Sequence, residues 1–173
     1  RAASLLPFDI TPVSERVVSN VRFSERQTRS FARTFPHHVT HLTQRSRLDA
    51  FLVERAVDAG ATFRQREAVR EVEKHQDHVV VRTAGEAFHA RALVAADGAN
   101  GPTSRLAGLN VKHLHGIAME GNISPPGGVP AEWESTMGLD FGGMPGGYGW
   151  ILPKADHLNI GLGGWRYVGP MLR

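Results

Sequence analysis

Apolar and polar residues alternate at both ends of the chain, and one helical period lies between the alternating regions. From Arg16 onward Val17, Ser19, Val21 and Phe23 interleave with Val18, Asn20 and Arg22, the period of two that sends successive side chains to opposite faces of a strand. Ser24-Glu25-Arg26 interrupts the run, and Phe31 and Phe35 return among polar neighbours over residues 28–35. This predicts an antiparallel hairpin, then a short strand over 39–42. Residues 2–10 read as the tail of a helix that stops before Pro12. The clearest helical period covers 47–59, where Leu48, Phe51, Leu52, Ala56 and Ala59 share a face. Ser46 is its expected cap, Asp49 completes a capping box, and Gly60 ends it.

Beyond Gly60 the pattern predicts strands over 62–66, 68–73, 78–83 and 88–91, with turns at 74–77 and at Ala84-Gly85. Residues 92–96 form the continuously apolar run Ala-Leu-Val-Ala-Ala, which suits a strand covered on both faces, as in a parallel sheet. After Asn110 the chain returns to strand-like segments at 112–123, 133–141, 148–152 and 157–162, separated by Gly and Pro. The implied class is α/β (α+β). A nucleotide-domain portion over 46–109 is expected between two portions, 1–45 and 110–173, of a second, antiparallel layer.

Composition narrows the function classes. Of 173 residues 41% are hydrophobic and 21% charged, a globular balance rather than a disordered one. No run approaches the roughly 20 apolar residues of a membrane-spanning helix, and no signal peptide opens the sequence. The absence of cysteine excludes disulfides, thiolate metal sites and cysteine nucleophiles. Twenty basic against 17 acidic residues leave a net charge of +3. The arginines are spread out (Arg16, Arg22, Arg26, Arg29, Arg33), unlike the clustered stripe of a nucleic-acid binder. Nucleic acid is therefore not an expected partner, while weak attraction to anionic headgroups stays open.

His37 and His41 have the spacing of metal ligands on a helix. Their neighbours favour strand, however, where positions four apart are ~13 Å from each other. His113 and His115 lack an acidic third ligand, so no metal is expected. No Gly-x-Ser-x-Gly motif occurs.

The chemistry-bearing stretch is residues 93–109, Leu-Val-Ala-Ala-Asp-Gly-Ala-Asn-Gly-Pro-Thr-Ser-Arg-Leu-Ala-Gly-Leu. An apolar strand ends in Asp97-Gly98 and a helical turn follows from about Thr103. Such a loop is the place where an open α/β sheet binds a phosphate-bearing ligand, and glycine allows close backbone approach. On these residues alone an ordinary Asp-Gly turn, with Asp97 as a cap, is the first reading and the ligand loop the second.

The stretch resembles the Asp-Gly fingerprint of the FAD-dependent monooxygenase and geranylgeranyl reductase superfamily, through Asp97, Gly98, Asn100, Arg105, Gly108 and Leu109. Gly101 stands where that family often has serine, and Ala107 where it often has leucine. Residues 44–52, followed by Ala59-Gly60-Ala61, are similar to the family's arginine-headed helix. Residues 145–153, Pro-Gly-Gly-Tyr-Gly-Trp-Ile-Leu-Pro, with 156–163, resemble the YxWxFP…GxG segment of geranylgeranyl reductases, with Leu152 for the usual phenylalanine.

The resemblance implies Asp97 and Gly98 beside the FAD pyrophosphate, Arg47 near the ribityl and phosphates, and Ala68 and Val69 toward the adenine. Tyr148, Trp150 and Gly161 would line the substrate side, the bare Gly161 and Gly163 making a slot for a flat ring or long apolar chain. No residue is assigned to acid–base catalysis.

The implied activity is reduction of isoprenoid double bonds by FAD with NAD(P)H as reductant, on a small isoprenoid or lipid substrate. The alternatives are an aromatic hydroxylase or halogenase, or a non-catalytic β-rich binding module. The expected location is cytoplasmic or peripheral to a membrane. The chain has no Gly-x-Gly-x-x-G and no closing element after Arg173. It is accordingly expected to be an internal portion that is empty of FAD and inactive by itself.

Overall fold

The computed structural model describes residues 3–109, 114–165 and 167. His113 and the start of the strand predicted over 112–123 lie outside those residues. In chain order the strands are β1 (Arg16–Val18), β2 (Asn20–Glu25), β3 (Arg29–Thr34), β4 (Thr40–Leu42), β5 (Glu71–Lys74), β6 (Val79–Arg82) and β7 (Ala87–Ala90). After these come β8 (Gly116–Ile123), β9 (Thr136–Phe141), β10 (Tyr148–Pro153) and β11 (Leu158–Trp165). The helices are α1 (Arg45–Asp58) and α2 (Thr103–Leu106). The expected α+β class holds: mixed sheets with few helices.

The described residues of 1–60 and 115–173 form one compact unit, and residues 61–114 a second. The division falls after Gly60, so α1 belongs with the first unit rather than with the residues that follow it.

The first unit is built on a six-stranded sheet of order β3-β2-β9-β10-β11-β8. Its pairings are antiparallel except β2 with β9, which run parallel from Asn20 beside Thr136 to Glu25 beside Phe141. The β2–β3 hairpin pairs Asn20 with Thr34 through Glu25 with Arg29. Three residues, Arg26 to Thr28, join the paired Glu25 and Arg29; Arg26 and Gln27 take positive φ, 49° and 57°, and the Thr28 N–H donates to the Glu25 carbonyl at 3.0 Å. β1 and β4 pair separately. Val18 and Val21, 0% and 2% exposed, anchor the core with Val13, Leu42 and Leu158.

Three expectations fail in this unit, each for a local reason. Residues 3–13 hold two short 3-10 turns, Ala3–Leu5 and Thr11–Val13, rather than a helix tail. Pro12 lies inside the second, at a position where its missing N–H is not needed. The cap of α1 is Gln44, with no side-chain hydrogen bond. Ser46 lies within the helix, and Asp49 is engaged by Arg45 through two 3.1 Å hydrogen bonds. Gly60 does close the helix, at φ +97°. No residue of α1 is fully buried; Phe51 meets Phe8 edge-on at 5.7 Å.

The second unit holds the antiparallel meander β5-β6-β7, with Val80 and Val81 buried. Residues 62–66 are irregular and exposed, and the strand expected over 68–73 begins only at Glu71. Residues 92–96 are likewise not a strand, and Val94 is 83% exposed. An apolar run becomes a sheet strand only where a neighbour supplies its ladder of hydrogen bonds. Among the described residues none pairs with this segment.

Candidate functional site

The sheet of the first unit has two faces, and its register decides which side chains meet. Arg22 lies beside Gly138, and Gly138 beside Ile151. Ile151 in turn pairs with Ile160, while Ser24 lies beside Asp140. These residues share one face. A cavity of about 700 Å3 opens there, within the roughly 300–1,000 Å3 range of small-molecule sites. It has a polar end (Arg22, Ser24, Gln27, Ser30, Asp140) and an apolar end that includes Ile151, Ile160 and Leu162.

The polar end is organised by the β2–β3 turn. Ser24 Oγ donates to Asp140 Oδ1 at 2.5 Å, and the Gln27 backbone N–H donates to the same oxygen at 2.8 Å. The strained turn is held further by Arg26, whose N–H and Nε donate to the carbonyls of Phe141 and Gly142 at 2.9 Å each. Asp140 thus fixes the tip with one carboxylate oxygen and keeps lone pairs on the other.

Trp133, from the 3-10 turn Ala131–Trp133, lies over Gly138. A Cβ at Gly138 would stand 3.1 Å from the indole, so glycine admits the ring. The Arg22 guanidinium lies 4.8 Å from the centre of the Trp133 ring and 4.0 Å from Glu132. This cation–π contact settles the arginine at the cavity wall.

Tyr148, Trp150 and Gly161 all border this cavity, but the slot expected over bare glycines is filled. The Trp150 indole covers Gly161, where an added Cβ would overlap it. The indole Nε1 donates to Asn159 Oδ1 at 2.9 Å, and Asn159 Nδ2 donates to Asn122 Oδ1 at 3.0 Å. Gly161 thus makes room for the protein's own flat ring. The face of Ile160 and Leu162, which the sequence reading set opposite the slot, carries the apolar end of the cavity.

Arg47, on α1, places Nη1 3.6 Å from Glu15 Oε1 and donates from Nη2 to the Pro12 carbonyl at 3.3 Å. The Glu15 side chain is only 6% exposed, and its Oε2 has no hydrogen-bond partner. The arginine is therefore bound to the body of its own unit while half its side chain stays exposed.

In the second unit Val69 is half-buried in an irregular stretch before β5. Asp97 turns back over its own loop. Its Oδ2 accepts the Thr103 N–H at 2.9 Å, and hydrogen bonding to Thr103 holds the carboxyl below its ordinary range. A Cβ at Gly101 would collide with this carboxylate, so the glycine there is what lets Asp97 fold inward. Gly98 has φ +82° with open space where a side chain would be, which fits the close approach of a ligand to the backbone. The structure brings Tyr148, Trp150 and Gly161 together in the first unit, and Asp97 and Gly98 in the second.

Sequence reasoning missed Arg22, Asp140 and Trp133. The alternation that puts Arg22 and Ser24 on one face of β2, and Gly138 and Asp140 on one face of β9, is readable. The parallel pairing that joins them, 116 residues apart, is not. Among the described residues no group of three or more histidines and acids could hold a metal ion. No described helix is long and apolar enough to cross a membrane.

Residues 10–129 match the family described as FAD binding domain. Three relatives align with most of the chain. An uncharacterized protein of Methanosarcina barkeri is 34% identical over 69% of this chain and 30% of its own length. The chloroplastic geranylgeranyl diphosphate reductase of Oryza sativa subsp. japonica is 31% identical over 74% and 31%. Digeranylgeranylglycerophospholipid reductase 2 of Methanosphaera stadtmanae is 31% identical over 71% and 33%. The chain therefore spans about a third of the length of the curated relatives it matches. Among solved structures, a triple mutant of the flavin-dependent brominase Bmp2 superposes with a TM-score of 0.68 at 17% identity, over 91% of this chain and 42% of that one.

Proposed function

Because this chain belongs to the FAD-binding domain family, we propose that it forms part of an FAD-dependent oxidoreductase that reduces carbon–carbon double bonds of an isoprenoid chain, with NAD(P)H as reductant. The observation that carries the reading is the partly apolar cavity beside Tyr148 and Trp150, in a chain about 31% identical to two isoprenoid-type reductases over more than two thirds of its residues. The halogenase alternative rests on a likeness of fold at 17% identity, and no residue described above favours it.

FAD, when bound, supplies the hydride chemistry. In the second unit the open backbone at Gly98 fits the close approach of a phosphate of such a group; in the first, Arg47 is the residue taken to face its ribityl and phosphates. Asp97 acts there by shaping the loop through Thr103, and Val69 offers an apolar contact for the adenine. The cavity's apolar end would hold the isoprenoid and exclude water from the reacting bond. We place residues 46–109 on the cofactor side and the remainder on the substrate side. The enzyme works in the cytoplasm, in peripheral contact with membranes that carry its substrate.

The test is expression of the complete open reading frame. A yellow protein that copurifies with FAD, bleaches anaerobically with NADPH or NADH, and saturates an isoprenoid is expected. A colourless protein that takes up no FAD on reconstitution overturns the reading.

A further inference from the structure

The two ends of the cavity differ in kind, and the polar end is not built for an anion. Asp140 and Arg22 are diagonal neighbours on one sheet face, because Ser24 pairs with Asp140 and Arg22 with Gly138; such neighbours stand ~7–8 Å apart. Ser24 and Gln27 satisfy one oxygen of Asp140. The other is left as an acceptor at the cavity, which Asp140 lines. Arg22 supplies donors beside it, but Glu132 lies 4.0 Å away, and the nearby Arg26 is committed to Gly142. The cavity lining carries one positive and one negative side chain, with a further acid just behind the positive one.

We propose that this end recognises an uncharged oxygen-bearing head group, a hydroxyl or a carbonyl, on a long apolar ligand. Asp140 accepts from the head's O–H, Arg22 donates to its oxygen, and the isoprenoid lies along Ile151, Ile160 and Leu162. A free diphosphate, with several negative charges against Asp140 and Glu132, is disfavoured. The assignment rests on the cavity being the substrate site, and it narrows the substrate to neutral isoprenoids such as long-chain alcohols or quinone-like heads.

Trp133 borders the cavity on the Arg22 face, so its fluorescence reports binding without turnover. The FAD-loaded protein is titrated with geranylgeraniol, with geranylgeranyl diphosphate and with a headless branched hydrocarbon of similar length. The alcohol is expected to bind at least about tenfold more tightly than the diphosphate, a difference of ~1.4 kcal/mol.

Asp140→Asn keeps an oxygen for Ser24 and Gln27 while removing the charge. It should tighten the diphosphate severalfold and leave hydrocarbon binding unchanged. Arg22→Gln should weaken the alcohol and not the hydrocarbon. Equal or tighter diphosphate binding by the unaltered protein overturns the head-group assignment, as does an Asp140→Asn variant that folds, binds the hydrocarbon and leaves the alcohol-to-diphosphate ratio unmoved. If none of the three ligands quenches fluorescence, the cavity itself is not the substrate site, and the reading on which the assignment rests fails instead.

Discussion

The indole of Trp150 covers Gly161, its direct partner across β10 and β11, so closely that only hydrogen fits at position 161. Trp150 is therefore fixed in place, on the sheet face opposite Arg22, Ile151 and Ile160. Gly161→Ala would drive a methyl into the indole and within 2.8 Å of the Met119 carbonyl. Overpacking of this kind costs about 1–3 kcal/mol. A lowered urea midpoint together with a shifted tryptophan emission is expected. An alanine variant as stable as the parent would show that Trp150 moves freely.

Arg47 presents a separable case, since it is proposed to face the cofactor and also neutralises a buried acid. Glu15 is 6% exposed, with one oxygen unpartnered and Arg47 3.6 Å from the other. Removing the cation leaves an uncompensated buried carboxylate, so Arg47→Met should destabilise by about 1–3 kcal/mol, below the range for a fully buried pair because the arginine is half exposed. Adding Glu15→Gln should recover most of that stability but none of the FAD affinity lost with the arginine. A double variant that recovers neither would remove the ion pair from the account of stability.

The parts of this fold that could be read from the sequence are those decided within a few residues. The hairpin of β2 and β3, the strands β10 and β11, and the glycine stop at Gly60 follow from period and turn chemistry. Residues 92–96 misled, because an apolar run signals burial without saying where its partner strands are. Gly161 misled in the opposite sense: a glycine opposite an aromatic reads as a vacancy, yet the aromatic occupies it. The polar end of the cavity was invisible because Ser24 and Asp140 meet only through a parallel pairing of distant strands.

The second unit should be sensitive to acid. Hydrogen bonding lowers the carboxyls of Glu73 (to Arg82), Asp77 (to His78) and Asp97 (to Thr103) below their ordinary ranges. A carboxyl that is more acidic in the folded state contributes its full stabilisation above its unfolded pKa, about 4, and loses it as pH falls through the folded value. Urea midpoints should hold from pH 7 to 5 and fall between pH 4 and 2. Asp97→Asn with Glu73→Gln should flatten that fall. A midpoint that rises on acidification would contradict the assignment.

The strut behind Trp150 can be tested apart from ligand binding. Asn159, 9% exposed, accepts the indole N–H at 2.9 Å and donates to Asn122 on the far strand at 3.0 Å, joining β10, β11 and β8 by side chains. Asn159→Leu leaves the indole N–H and the Asn122 oxygen without these partners. The part-buried indole N–H so stranded costs about 1–3 kcal/mol, whereas Asn122, on the exposed strand β8, turns to water. Adding Trp150→Phe removes the stranded donor, so the double variant should be less destabilised than the sum of the two single changes. Strict additivity in the urea midpoints would mean that the Trp150–Asn159 hydrogen bond holds nothing in place, and the indole would then have to be fixed by packing on Gly161 alone.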